Sequence, residues 1–124
     1  MSAALQSKRV FLQGPNKKYL QCSNSQGDAK CLRSERLDWE ALSISLVGQY
    51  AVVTSIRNDK YMRCQSDGSV SFTGTEKGDA EQWGVEQKGE LLFVISKASG
   101  NTMYVDSDGI VSCPDKTRSK QHLW

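Results

Sequence analysis

Apolar residues along this chain fall in short runs, not in the long one-sided stripes that mark amphipathic helices. Val10-Phe11-Leu12, Tyr50-Ala51-Val52-Val53 and Leu91-Leu92-Phe93-Val94-Ile95 have the length and the β-branched, aromatic content of strands. A turn rich in Asn, Asp, Gly or Pro follows each, and then a second short run carrying a tyrosine. After that come Ser25-Gln26-Gly27-Asp28, Ser66-Asp67-Gly68-Ser69 and Ser107-Asp108-Gly109, where glycine supplies the positive φ that a tight hairpin needs. A further strand is predicted to open at each tryptophan. The strongest helix candidate, Ser34 to Leu42, gathers charge without sustaining an apolar face, so the pattern predicts strands throughout.

The pattern repeats. Copy one holds Asn16-Lys17-Lys18-Tyr19-Leu20-Gln21-Cys22, Ala29-Lys30-Cys31 and Trp39. Copy two holds Asn58-Asp59-Lys60-Tyr61-Met62-Arg63-Cys64, Val70-Ser71-Phe72 and Trp83. Copy three holds Gly100-Asn101-Thr102-Met103-Tyr104-Val105, Val111-Ser112-Cys113 and Trp124. The tyrosines stand 42 and 43 residues apart and the tryptophans 44 and 41, so two ladders of uncommon residues share nearly one period. Four strands taken three times predict an all-β fold, the β-trefoil, in which a six-stranded barrel is capped by three hairpins. One domain is expected over residues 1–124, with repeats at about 8–47, 48–88 and 89–124. A single copy would expose an apolar face, so both aromatic ladders are expected in a shared threefold core. Cys22 and Cys64 occupy one equivalent position and Cys31, Phe72 and Cys113 another, which reads as packing. The stretch from Tyr104 to Val111 is expected to trim its hairpin by two residues relative to copy two. The third copy reaches Trp124 where its fourth strand opens, so that last strand reads as truncated. Two expectations follow. Either the chain is a piece of a longer protein, or it carries an open barrel edge, covered by the segment Ala3 to Ser7, by a partner chain or by self-association.

An apolar fraction of 38% with 24% charged residues is that of a globular chain able to fold unaided. Sixteen basic against fourteen acidic residues, net +2, fall short of a dedicated nucleic-acid or heparin binder, so any polyanion contact needs local clustering. The first third supplies it: residues 8–47 are net +3, against −1 for 48–88 and zero for 89–124. Lys17 and Lys18 in its first turn, with Lys30, Arg33 and Arg36 beside its second hairpin, form the candidate partner-binding patch. Met1 to Lys8 lacks the features of a secretory signal and no apolar run is longer than a strand, so the expectation is a cytoplasmic protein without a membrane anchor, its cysteines reduced. A lone histidine, His122, and the absence of nucleophile-elbow, zincin and phosphate-loop motifs argue against an enzyme, and no catalytic residue or cofactor is expected. No metal is expected either: the cysteines lack zinc-site spacing, and Asp106 and Asp108 open a calcium-like loop that nothing completes, which reads as a turn.

Lys18-Tyr19-Leu20 and Lys60-Tyr61-Met62, then Asp67-Gly68-Ser69-Val70-Ser71-Phe72 and Asp108-Gly109-Ile110-Val111-Ser112-Cys113, then a tryptophan, form a unit. From Arg9 to Trp124 these units resemble those of the fascin-like β-trefoils. The resemblance implies a cytoskeleton-associated module that binds actin filaments, bundling them if repeated or dimeric, with basic side chains meeting the acidic surface of actin. Fascins also carry a serine beside basic residues whose phosphorylation weakens actin binding, and Ser34, next to Arg33, falls in that segment. The related hisactophilins bind actin and membrane, but their histidine richness is missing, so no histidine-driven switch carries over. Two alternatives stand beside this reading. A carbohydrate-binding trefoil of the ricin type has Gln-x-Trp in every repeat, whereas this chain has Leu37-Asp38-Trp39, Glu81-Gln82-Trp83 and His122-Leu123-Trp124. The basic first copy leaves RNA open as a partner, as in fascin-related nuclear proteins.

Overall fold

Ten strands order the computed structural model, which describes residues 9–124. They are β1 (Tyr19–Cys22), β2 (Ala29–Arg33), β3 (Leu42–Val47), β4 (Tyr50–Ser55), β5 (Tyr61–Cys64), β6 (Val70–Gly74), β7 (Trp83–Lys88), β8 (Leu91–Ser96), β9 (Thr102–Val105) and β10 (Val111–Asp115). Helical structure among the described residues is confined to two short 3-10 turns, Asp79–Glu81 and Lys120–His122. β1–β2, β5–β6 and β9–β10 are the antiparallel hairpins internal to each copy. β3–β4 and β7–β8 join successive copies through the short turns Gly48-Gln49 and Gly89-Glu90.

The barrel is stitched by one interaction made three times. Val10 and Leu42 exchange backbone hydrogen bonds, Ala51 pairs with Trp83, and Leu92 exchanges hydrogen bonds with Trp124. The hairpins meet in a ring at the other level of the fold. The Phe72 N–H donates to Gly27 O (2.6 Å), the Cys113 N–H to Gly68 O (2.7 Å) and the Cys31 N–H to Gly109 O (2.7 Å), so each copy holds the next and the third returns to the first. This is β-trefoil architecture, closed by contacts between copies.

The core is a stack of threefold sets. Leu20, Met62 and Met103 form one, Cys22, Cys64 and Val105 another, then Ala29, Val70 and Val111, then Cys31, Phe72 and Cys113, and finally Leu42, Trp83 and Trp124. Each fully buried Leu, Met, Val or Phe among them contributes about 1.5–3 kcal/mol. Cysteine alternates with Val at one matched position and with Phe at another, where the buried thiol packs as a small apolar group.

Two expectations about the aromatic ladders are corrected. Trp39 is 38% exposed, while Trp83 and Trp124 are buried, and the position matching theirs in copy one is Leu42, giving a spacing of 41 residues twice. The fourth strand of copy one therefore opens three residues after its tryptophan. The tyrosines are half-buried flank residues, not core. Tyr19 and Tyr61 pair with Gln13 and Thr54, and the residue making that pair in copy three is Thr102, opposite Ile95. Tyr104 thus matches Gln21 and Arg63. Once the shift is removed, the hairpin of copy three is as long as that of copy two: Cys64↔Val70 and Val105↔Val111 close equal loops. The segment Ala3 to Ser7, expected as one cover for an open edge, lies outside the described residues.

Candidate functional site

Copy one differs from the others where its chain leaves β2 and turns toward β3. The turn is held by Glu40 N–H to Leu37 O (3.1 Å) and Ala41 N–H to Asp38 O (3.3 Å), the pattern that Gly78–Gln82 and Ser119–Leu123 repeat. Its side-chain lock is also repeated. Glu40 Oε1 accepts the Leu37 N–H (3.0 Å), Glu81 Oε1 accepts the Gly78 N–H (3.2 Å) and His122 Nδ1 accepts the Ser119 N–H (3.3 Å). Behind the lock, Glu40 accepts from the Gln21 amide, Glu81 pairs with Arg63 (2.6 Å) and the His122 ring lies 5.0 Å from that of Tyr104. The histidine is thereby a turn-capping residue.

With Glu40 buried and anchored, the residues before it face outward. Trp39 is held against two cations: the Arg57 guanidinium lies 3.8 Å from the ring centroid and that of Arg33 5.2 Å. Arg57 reaches across from copy two, fixed by Nη1 donating to Cys22 O (2.9 Å). Arg36 lies 6.0 Å over Tyr19, and Arg9 pairs with Asp38 (2.7 Å) on the open surface, where such a pair contributes little. Arg9, Arg33, Arg36, Leu37, Asp38, Trp39 and Glu40 line a depression of about 480 Å³. Arg33 and Arg36 make no ion pair with any described residue. Their donors are pre-oriented by stacking and left available, the arrangement in which planar guanidinium recognises carboxylate or phosphate.

Comparison between copies separates what the fold requires from what it does not. Lys77 lies over Tyr61 much as Arg36 lies over Tyr19, so that contact belongs to the repeat. Arg33, however, stands where Gly74 and Asp115 stand, each opposite the residue that opens the preceding strand. Leu37 and Trp39 stand where Gly78 and Ala80, or Ser119 and Gln121, stand.

The expected patch divides. Arg33 and Arg36 come together, with exposed Ser34 between them in the chain. Lys30 sits half-buried on β2 opposite Ile110. Lys17 lines a separate depression with Leu91, Lys120 and Leu123, and Lys18 is exposed in the same turn. Sequence reasoning missed Arg9, Arg57 and Trp39. Arg57 lies in another copy, and no local signal brings it to Trp39; Trp39 was masked by its near-periodic spacing to Trp83.

The thiols are chemically unequal but interior. All four cysteines are buried and unbridged. Burial pushes Cys31 up to about 12 and raises Cys22. Cys64 is lowered to about 6, first by the neighbouring Cys113 thiol and then by Ser96 and Ser99, and Cys113 is raised. Among the described residues no group of three or more His, Cys, Asp or Glu is arranged to hold a metal ion. Asp106 Oδ1 accepts the N–H groups of Asp108 (2.8 Å) and Ile110 (2.9 Å), which makes that acidic pair a turn.

No model of a known protein family matches the chain, and no curated protein matches it. Among solved structures, the chain is similar to the designed threefold symmetric protein ThreeFoil, with a TM-score of 0.81 at 17% identity over 94% of each chain. That likeness shows the fold and carries no information on a partner.

Proposed function

We propose that this β-trefoil is a non-enzymatic binding module of fascin type, acting in the cytoplasm, whose arginine face takes an acidic partner, with the filamentous actin surface as its ligand. The observation that carries the reading is the asymmetry of the fold. Where its sister copies place Gly, Ala, Ser, Gln or Asp, copy one places Arg33, Leu37 and Trp39, and copy two adds Arg57 to the same face. Stability does not demand a stacked guanidinium pair on an exposed tryptophan, since the other two copies fold without one. The fascin-like units in the sequence support actin over other acidic surfaces. Phosphate on Ser34 would add about −1.5 to −2 charge beside Arg33 and weaken such a contact.

Co-sedimentation with actin filaments tests the reading. The wild-type domain is expected to pellet at low salt and less at moderate salt, because charge steering is screened. Arg33→Glu with Arg36→Glu is expected to abolish pelleting, and Lys17→Glu with Lys18→Glu to weaken it only slightly, since Lys17 lines a different depression. Failure of the wild type to pellet under either condition overturns actin as the partner.

A further inference from the structure

The arginine face has an apolar component that a purely charged ligand would leave unused. Leu37 is 52% exposed and Trp39 38%, and both wall the depression that Arg33 and Arg36 rim. Neither is a requirement of the turn, for Gly78 and Ala80 make the same turn in copy two and Ser119 and Gln121 make it in copy three. Apolar side chains grouped in one depression mark an interaction site, and tryptophan and arginine are the residues on which interface affinity concentrates. Arg33 and Arg57 already lie over the Trp39 ring, so a base or sugar stacking there competes with a guanidinium, whereas an apolar side chain packs beside Leu37.

Resting on the reading of this face as an acid-binding surface, we infer that its ligand is an acidic amphipathic protein segment: an apolar anchor seated against Leu37 and Trp39, with flanking carboxylates taken by Arg33 and Arg36. Charge complementarity fixes the flanks, because these two guanidinium groups face the depression without an acidic partner among the described residues. Exposed apolar area fixes the centre. Asp38 is already paired with Arg9 at the rim, which leaves Arg33 and Arg36 as the unpaired cations of the depression among the described residues.

The structure provides its own reporter, since Trp83 and Trp124 are buried with their indole N–H groups bonded to Met62 O and Met103 O, leaving Trp39 as the solvent-sensitive fluorophore. The intact domain is titrated with three synthetic peptides of equal length, one of Leu and Glu, one of Ser and Glu, and one of Leu and Lys. The Leu–Glu peptide is expected to shift Trp39 emission to the blue and to bind about tenfold more tightly than Ser–Glu. Leu37→Ser, checked for an unchanged melting temperature, is expected to erase that advantage and to leave Ser–Glu binding as it was; Trp39→Phe removes the signal. Equal affinity for the two acidic peptides overturns the inference, as does equal binding of Leu–Lys, or a blue shift with phosphatidylserine vesicles and none with peptide. Equal acidic-peptide affinity with actin pelleting intact removes only the apolar anchor. Tight Leu–Glu binding without pelleting removes actin and keeps the anchor.

Discussion

A Cβ added to Gly109 would sit 2.6 Å from Cys31 O, at a backbone φ of +82°. The glycine is required twice over, by the left-handed turn and by the approach of a carbonyl from another copy. Gly48 has a comparable φ of +62° but open space around it. Gly109→Ala is therefore expected to destabilise the domain by roughly 3 kcal/mol or more, and Gly48→Ala by about 1 kcal/mol, in urea unfolding. Equal losses would mean that the hairpin contact is slack. The need for glycine at 109 was legible from the Asp-Gly pair, which signals a tight turn by local chemistry alone. That Cys31 crowds it was not, because a contact across 78 residues leaves no local trace.

At the scale of the element, the decisive feature is where each copy's fourth strand opens. Trp83 and Trp124 point their rings inward and satisfy their N–H groups on the strand of the preceding hairpin, at Met62 O (3.0 Å) and Met103 O (3.2 Å). Leu42 fills the same position without a polar group to satisfy. Trp39 precedes it by three residues, in the turn, so its near-period spacing is a coincidence of type and not of place. Trp83→Ala is expected to cost about 3–5 kcal/mol and Trp39→Ala less than about 1 kcal/mol, read from thermal melting. A large loss at Trp39 would return it to the core. Strand and turn placement followed from runs and punctuation, which act within a few residues. The three-residue phase of copy one did not, because the pairing of Val10 with Leu42 and the hydrogen bonds of the turn before it define it.

For the whole molecule, closure is cooperative because no copy completes its own hairpin ring. The Cys31, Phe72 and Cys113 amides each donate to a glycine of a different copy. These three amides are expected to share the slowest hydrogen exchange, with one opening free energy equal to that of global unfolding. Earlier exchange at any one of them would show a copy that opens alone. The same closure breaks threefold symmetry at the surface, for it carries Arg57 from copy two onto Trp39 of copy one. By itself the sequence determined the class, the repeat, the hairpins and a basic first third, all of which rest on short-range spacing and residue type. The tertiary structure alone decided which tryptophan is exposed, split the lysines from the arginines and assembled the candidate face. Those outcomes depend on the register between distant strands, which is set by packing around a shared axis and not by neighbours in the chain.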